Sequence, residues 1–191
     1  MHGSYLTNPL VFLIQTLFGL YIAVVAIRFL LQWVRADFYN PLSQFIVRIT
    51  SPVLRPLRKI VPGYGGLDTA SLVLAWLLQS AELALLALLL GFSVFPIGAL
   101  LWSVPALAEL FIDIFLFAIL IRVVLSWVNP DPYHPAFALL DRLTDPILRP
   151  ARRLIQPIGG VDLSPMAAMI ALILIQMIAI PPLKWVTASP F

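Results

Sequence analysis

The residues of this chain best suited to chemistry are cations gathered in two clusters and acids placed inside apolar runs. Arg55, Arg58 and Lys59 form one cluster, and Arg149, Arg152 and Arg153 form the other. Guanidinium and ammonium groups beside apolar sequence suit the phosphates of an anionic phospholipid or an acidic face on a membrane or cytoplasmic protein partner. The plainer alternative, that they fix topology and solvate helix ends, stays open on the sequence alone. Glu82 and Asp113 stand within apolar runs, and Gln176 does so too. A carboxylate in hydrocarbon costs several kcal/mol, so these groups are expected to face a bundle interior. There they would share a proton or cation, or act as hydrogen-bond glue between helices. Arg28 and Arg122 each precede a tryptophan, Trp33 or Trp127, by five residues. Each is expected either to snorkel to the interface or to form a loop clamp with Asp37 or Asp131 beyond the helix end.

Other chemistry is poorly supplied. The chain has no cysteine, which removes disulfides and thiol nucleophiles, and its two histidines, His2 and His134, make no histidine-built metal site. No HExxH motif, Ser-His-Asp set or P-loop occurs, so the expectation is a non-enzyme with no cofactor and no metal. Asp131, His134, Asp141 and Asp145 gather in one loop, but their partners in the repeat described below are Asp37, Asn40, Val47 and Ser51, so they read as caps and turn formers. The basic loops carry no aromatic stacking platform, which favours lipid over nucleic acid.

These residues need elements to hold them. With 61% hydrophobic residues in 191 and a mean hydropathy of +1.00, there is more apolar surface than one water-soluble core could hide. Four stretches, about 9–33, 69–92, 104–128 and 164–185, are long enough to cross hydrocarbon. The loops at 34–68 and 129–163 hold most of the arginines, which places both on the cytoplasmic side and both termini outside a bacterial cytoplasmic membrane. The first nine residues lack Lys and Arg, so the first span is expected to be retained and not cleaved as a signal peptide.

Shifting the chain by 94 pairs Arg28 with Arg122, Trp33 with Trp127, Thr50 with Thr144 and Asp68 with Asp162. Seventeen of the forty-one positions from 28 to 68 are identical to their partners in 122 to 162. The expected architecture is therefore an all-α membrane protein of two tandem helix-loop-helix repeats, 1–94 and 95–191, related by an axis along the membrane normal. Within each loop, "PLSQFIVRI" or "PAFALLDRL" is one amphipathic segment. Ser51-Pro52 or Asp145-Pro146 then starts a second, which Pro56 should break. Both are expected to lie flat as interfacial amphipathic helices. Gly65-Gly66 and Gly159-Gly160 permit a tight turn, after which Asp68 or Asp162 caps the next span.

The stretches "RVVLSWVNPDPYHP" and "DPILRPARRLIQPIGGVDLSP" resemble the YggT family of small integral membrane proteins in its two-repeat bacterial form. The first repeat departs from that pattern with Gly63-Tyr64 where the second has Pro157-Ile158. The resemblance implies no established activity. It implies links to osmotic stress tolerance or ion homeostasis, to division-gene neighbourhoods and, in plastids, to cytochrome complex assembly or nucleoid organisation. Two functions follow as expectations. One is an assembly or scaffolding factor at the inner membrane surface, and the other is a small cation or proton pathway through Glu82 and Asp113. Four helices leave little lumen, so a conducting form would be a homo-oligomer.

Overall fold

The computed structural model describes residues 4–92, 96–128, 134–155 and 162–191. Among these the chain is helical, and its one β-bridge, Tyr64 with Leu67, closes a turn. The helices are α1 (Ser4–Trp33), α2 (Pro41–Ile60), α3 (Thr69–Leu90), α4 (Pro96–Val128), α5 (Pro135–Leu154) and α6 (Ser164–Val186). Four of them, α1, α3, α4 and α6, are long and apolar enough to cross a membrane. α4 starts at Pro96, earlier than hydropathy suggested, and runs through Pro105. One missing backbone bond does not end a helix whose other groups have no better partner than the ladder itself.

Each loop folds as one helix, not as two segments. Asn40 caps α2, its side chain accepting from Leu42 N at 2.9 Å, with Pro41 as first helical residue. His134 does the same for α5 through Ala136 N at 3.2 Å. Thr50-Ser51-Pro52 and Thr144-Asp145-Pro146 are therefore helix interior, and the expected start there is wrong. Both helices run on through their prolines, and hydroxyls in the middle turn back-bond to carbonyls of the turn before. Thr50 Oγ1 donates to Ile46 O at 2.7 Å and Ser51 Oγ to Val47 O at 2.5 Å, and Thr144 Oγ1 donates to Leu140 O at 2.7 Å.

α3 packs between α1 and α4, and α4 packs in turn on α6. α2 lies against α1 and α3 as α5 lies against α4 and α6. The duplication shows in the cores: Val25 and Leu54 are fully buried among α1, α2 and α3, and Ile119 and Leu148, their equivalents, are fully buried among α4, α5 and α6. One contact is not duplicated. α3 packs on α4, whereas no described residues of α6 and α1 make the matching contact. Trp76 Nε1 donates to Leu100 O at 2.9 Å and Ser80 Oγ to Ser103 Oγ at 3.0 Å across that junction. Their repeat equivalents, Ile170 and Leu174, offer no polar grip and are exposed.

α2 presents three faces. Ser43, Thr50 and Leu54 are buried against the bundle; Leu42, Phe45, Ile49 and Val53 form an exposed apolar stripe; Arg48, Arg55, Arg58 and Lys59 fill the remaining arc. On α5 the equivalent stripe is covered, with Leu139 packed on Leu31 and Ala36 and Leu143 on Leu30 and Ala118.

Candidate functional site

The polar layer lies where α2 and α5 meet the spans. Arg28, less than two turns from the end of α1, is buried, and its guanidinium meets three elements. Nη1 donates to Thr50 Oγ1, to Val47 O at 3.2 Å and to Ser51 Oγ at 3.3 Å, all on α2. Nε faces Asp68 Oδ2, at the head of α3, at 3.5 Å. Asp68 also takes Arg58 of α2 and the hydroxyl of Ser71 at 2.6 Å. Burial alone would raise the Asp68 carboxyl. The hydrogen bonds from Arg58 and Ser71, with the charges of Arg58 and Arg28, outweigh it and hold the group below its ordinary value. Asp68 sits at the N-cap position of α3, yet its carboxylate serves the arginines and Ser71 and no backbone N–H of that helix.

The expected clamp partner was different. Asp37 is exposed and accepts from the backbone of Tyr39 at 2.8 Å, so Arg28 does not pair with it. Asp37 lies beyond the end of α1, while α3 returns antiparallel and brings Asp68 to the level of Arg28. In the second repeat Arg122 pairs with Asp141 of α5 at 2.5 Å, and Asp131 lies outside the described residues. Asp141 replaces Val47, so no repeat match flagged it. Asp68 and Thr50 did carry a signal, since both recur in the second repeat.

The six cations of the two clusters are exposed, but they are not equally engaged. Arg58 pairs with Asp68, Arg149 with Asp145 one turn back, and Arg152 with Asp162 at 3.1 Å. Among the described residues no acid pairs with Arg55, Lys59 or Arg153. Asp162 is pushed up by its partial burial. The bonds from the Ser164 hydroxyl and backbone and from Arg152 carry it the other way, below the ordinary value. Gly65 and Gly66 have φ of 62° and 83° and make the turn that the glycine pair required, while Gly159 and Gly160 lie outside the described residues.

Within the spans the three polar residues separate. Gln176 of α6 donates to Asp113 Oδ1 of α4 at 3.1 Å. Buried Glu82 takes its bond from Gln79 of its own helix at 2.8 Å. Glu109 meets Lys184 of α6 at 3.0 Å. Asp113 also lines an apolar groove of about 630 Å³ between α1 and α4, bordered by α2 and α5. Its walls include the repeat-related pairs Ala23 with Phe117, Ile27 with Ile121 and Phe45 with Leu139, so the two repeats face one another across it.

Comparison with known proteins finds the same duplication. The model of the CCB3/YggT family matches twice, over residues 7–89 and 101–183. The chain is 49% identical over 187 residues to "Uncharacterized protein PA0392" of Pseudomonas aeruginosa, covering 97% of this chain and 95% of that one. It is 38% identical over 172 residues to "Uncharacterized protein YggT" of Escherichia coli K12, covering 89% and 88%. A shorter similarity, 41% over 63 residues, joins 32% of this chain to 69% of "Uncharacterized protein ycf19" of Guillardia theta. No solved structure matches.

Proposed function

The chain belongs to the CCB3/YggT family, and from that premise we propose that it is a non-enzymatic scaffolding or assembly factor at the cytoplasmic surface of a bacterial inner membrane. The carrying observation is the three-faced exposure of α2. A helix with one face on the bundle, an apolar stripe exposed beside it and cations on the third arc suits the headgroup plane. There the stripe meets acyl chains and Arg48, Arg55 and Lys59 meet anionic headgroups, each cation adding about 1 kcal/mol. α5 repeats the cationic arc with Arg142, Arg149, Arg152 and Arg153, while its apolar stripe is spent on the first repeat. The exposed cations are then the surface on which a membrane or cytoplasmic protein partner is held near anionic lipid. The family resemblance adds osmotic stress tolerance as the setting.

Charge reversal of Arg55, Lys59, Arg149 and Arg153 to Glu, with the protein extracted from its own membrane, tests this reading. Loss of co-purifying anionic lipid or protein partner, with the helical signal kept, supports it; full retention of both contradicts it.

A second reading has one favouring observation, the position of Asp113 on the groove between the repeats. In that reading the protein is a cation or proton pathway. Asp113 would line the route, and Glu82, bonded within its own helix, would have to join it in a homo-oligomer. Ion flux in proteoliposomes that falls on Asp113→Asn would support it.

A further inference from the structure

We infer that the second repeat holds one phospholipid in a cleft between α4, α5 and α6, with the lipid phosphate on Arg122 and Arg152. The inference rests on the proposed function only for the interfacial level of α5.

The cleft has a volume of about 800 Å³, within the roughly 300–1,000 Å³ of small-molecule sites. Its chemistry is graded along the membrane normal. Arg122, Arg152 and Asp162 lie at the end where α5 crosses the spans. Met166, Met169 and Ile173 continue the wall along α6, Ile173 about 14 Å from the start of that helix. Met166 and Ile173 are exposed, so the cleft opens on a face that meets lipid. A polar head followed by an apolar wall of this depth fits a phosphate diester joined to acyl chain, and it does not fit a free anion.

The first repeat is closed at the equivalent place. There Arg28 closes onto Asp68, and their side chains are 5% and 4% exposed. In the second repeat two substitutions undo that closure. Asp141 stands where the first repeat has Val47 and draws the Arg122 guanidinium to α5, and Pro165 stands where Ser71 bonds Asp68. Thr144 Oγ1 bonds Leu140 O and Asp141 O, and among the described residues no bond joins it to Arg122 as Thr50 is joined to Arg28. No ion pair joins Arg122 to Asp162, whose side chain is 39% exposed. The Nε of Arg28 and the Nε of Arg122 are both buried without a hydrogen-bond partner among the described residues, but Asp68 Oδ2 faces the first at 3.5 Å and no acid faces the second. A buried guanidinium donor left unmet is costly, and a phosphate oxygen is its natural acceptor.

The charges distinguish this site from the basic faces. Arg122 is offset by Asp141 and Arg152 by Asp162, so the four side chains sum to zero. Retention should then depend on fit and hydrogen bonds and survive salt, whereas attraction of the exposed cations to an anionic leaflet is screened.

Native mass spectrometry of the full chain, extracted in mild detergent and washed at about 1 M salt, where the Debye length is about 3 Å, reads the outcome. Wild type should keep one phospholipid per chain. Arg122→Gln should lose it, and so should Ile173→Trp, which fills the cleft from its rim without touching a charge; Arg55→Gln with Lys59→Gln should keep it. Wild type with no phospholipid, an additive or detergent molecule alone, or equal retention in Ile173→Trp would overturn the inference. Such a failure would leave the salt-sensitive binding of the basic faces standing, and loss of that binding with the high-salt lipid intact would sink the scaffold reading and not the cleft.

Discussion

Arg28 and Asp68, forty residues apart in sequence, are ion-paired at 3.5 Å between α1 and the head of α3, with both side chains almost wholly buried. Through Thr50, Ser51 and Arg58 the same pair holds α2 against the two spans. Removing Arg28 leaves Asp68 with Arg58 and Ser71, whereas removing Asp68 leaves the Arg28 guanidinium buried with no acid beside it, which costs about 3–5 kcal/mol. Asp68→Ala should therefore destabilise the protein by that order. Arg122→Gln, whose partner Asp141 has a half-exposed side chain, should cost about 1 kcal/mol or less. Unfolding in detergent followed by circular dichroism compares the two.

Acid should act through the same pair. Asp68 is held below its ordinary value, so its contribution to stability is complete above about pH 4 and is lost as pH falls through its lower folded-state value. The wild-type melting temperature should drop steeply below about pH 4. Asp68→Asn should start lower and fall less over that window, and parallel curves would show that other carboxylates set the acid limit.

The spans and the duplication were legible because both are written in long patterns, apolar runs of more than twenty residues and a fixed offset of 94. The clamp was legible only in part. Arg28 stood out as a charge inside a span, but its partner depends on how α3 returns, and Asp37 was merely the nearer acid in sequence. Pro52 looked like a helix start and Pro56 like a break because local rules do not see the burial of Ser43, Thr50 and Leu54 against the bundle, which holds α2 as one helix through both. Glu82 and Asp113 both stood in apolar runs, but they do not share a face. Ser80 points to Ser103 on α4, and Glu82, two residues later, is turned about 200° round the helix.

The Asp113–Gln176 bond joins α4 to α6 inside the spans. Bonds of this type contribute about 0.6 kcal/mol on average and at most about 1.7. Gln176→Leu should cost about that much, and a double-mutant cycle with Asp113→Ala, which removes the acceptor, should recover a coupling of similar size. Glu82→Gln, bonded on α3 alone, should show no coupling to Gln176.

Where α2 lies relative to the bilayer is the point on which the proposed function turns, and the chain has no cysteine to interfere with single-site labelling. Spin labels at Phe45→Cys and Val53→Cys on the apolar stripe, and at Arg48→Cys and Arg55→Cys on the cationic arc, would be read in vesicles containing anionic lipid. Each would be compared for relaxation by oxygen, which concentrates in lipid, and by a water-soluble paramagnetic complex. The expected result is lipid-type relaxation at 45 and 53 and water-type relaxation at 48 and 55. Water-type relaxation at all four positions would lift α2 off the membrane and contradict the scaffold held against anionic headgroups.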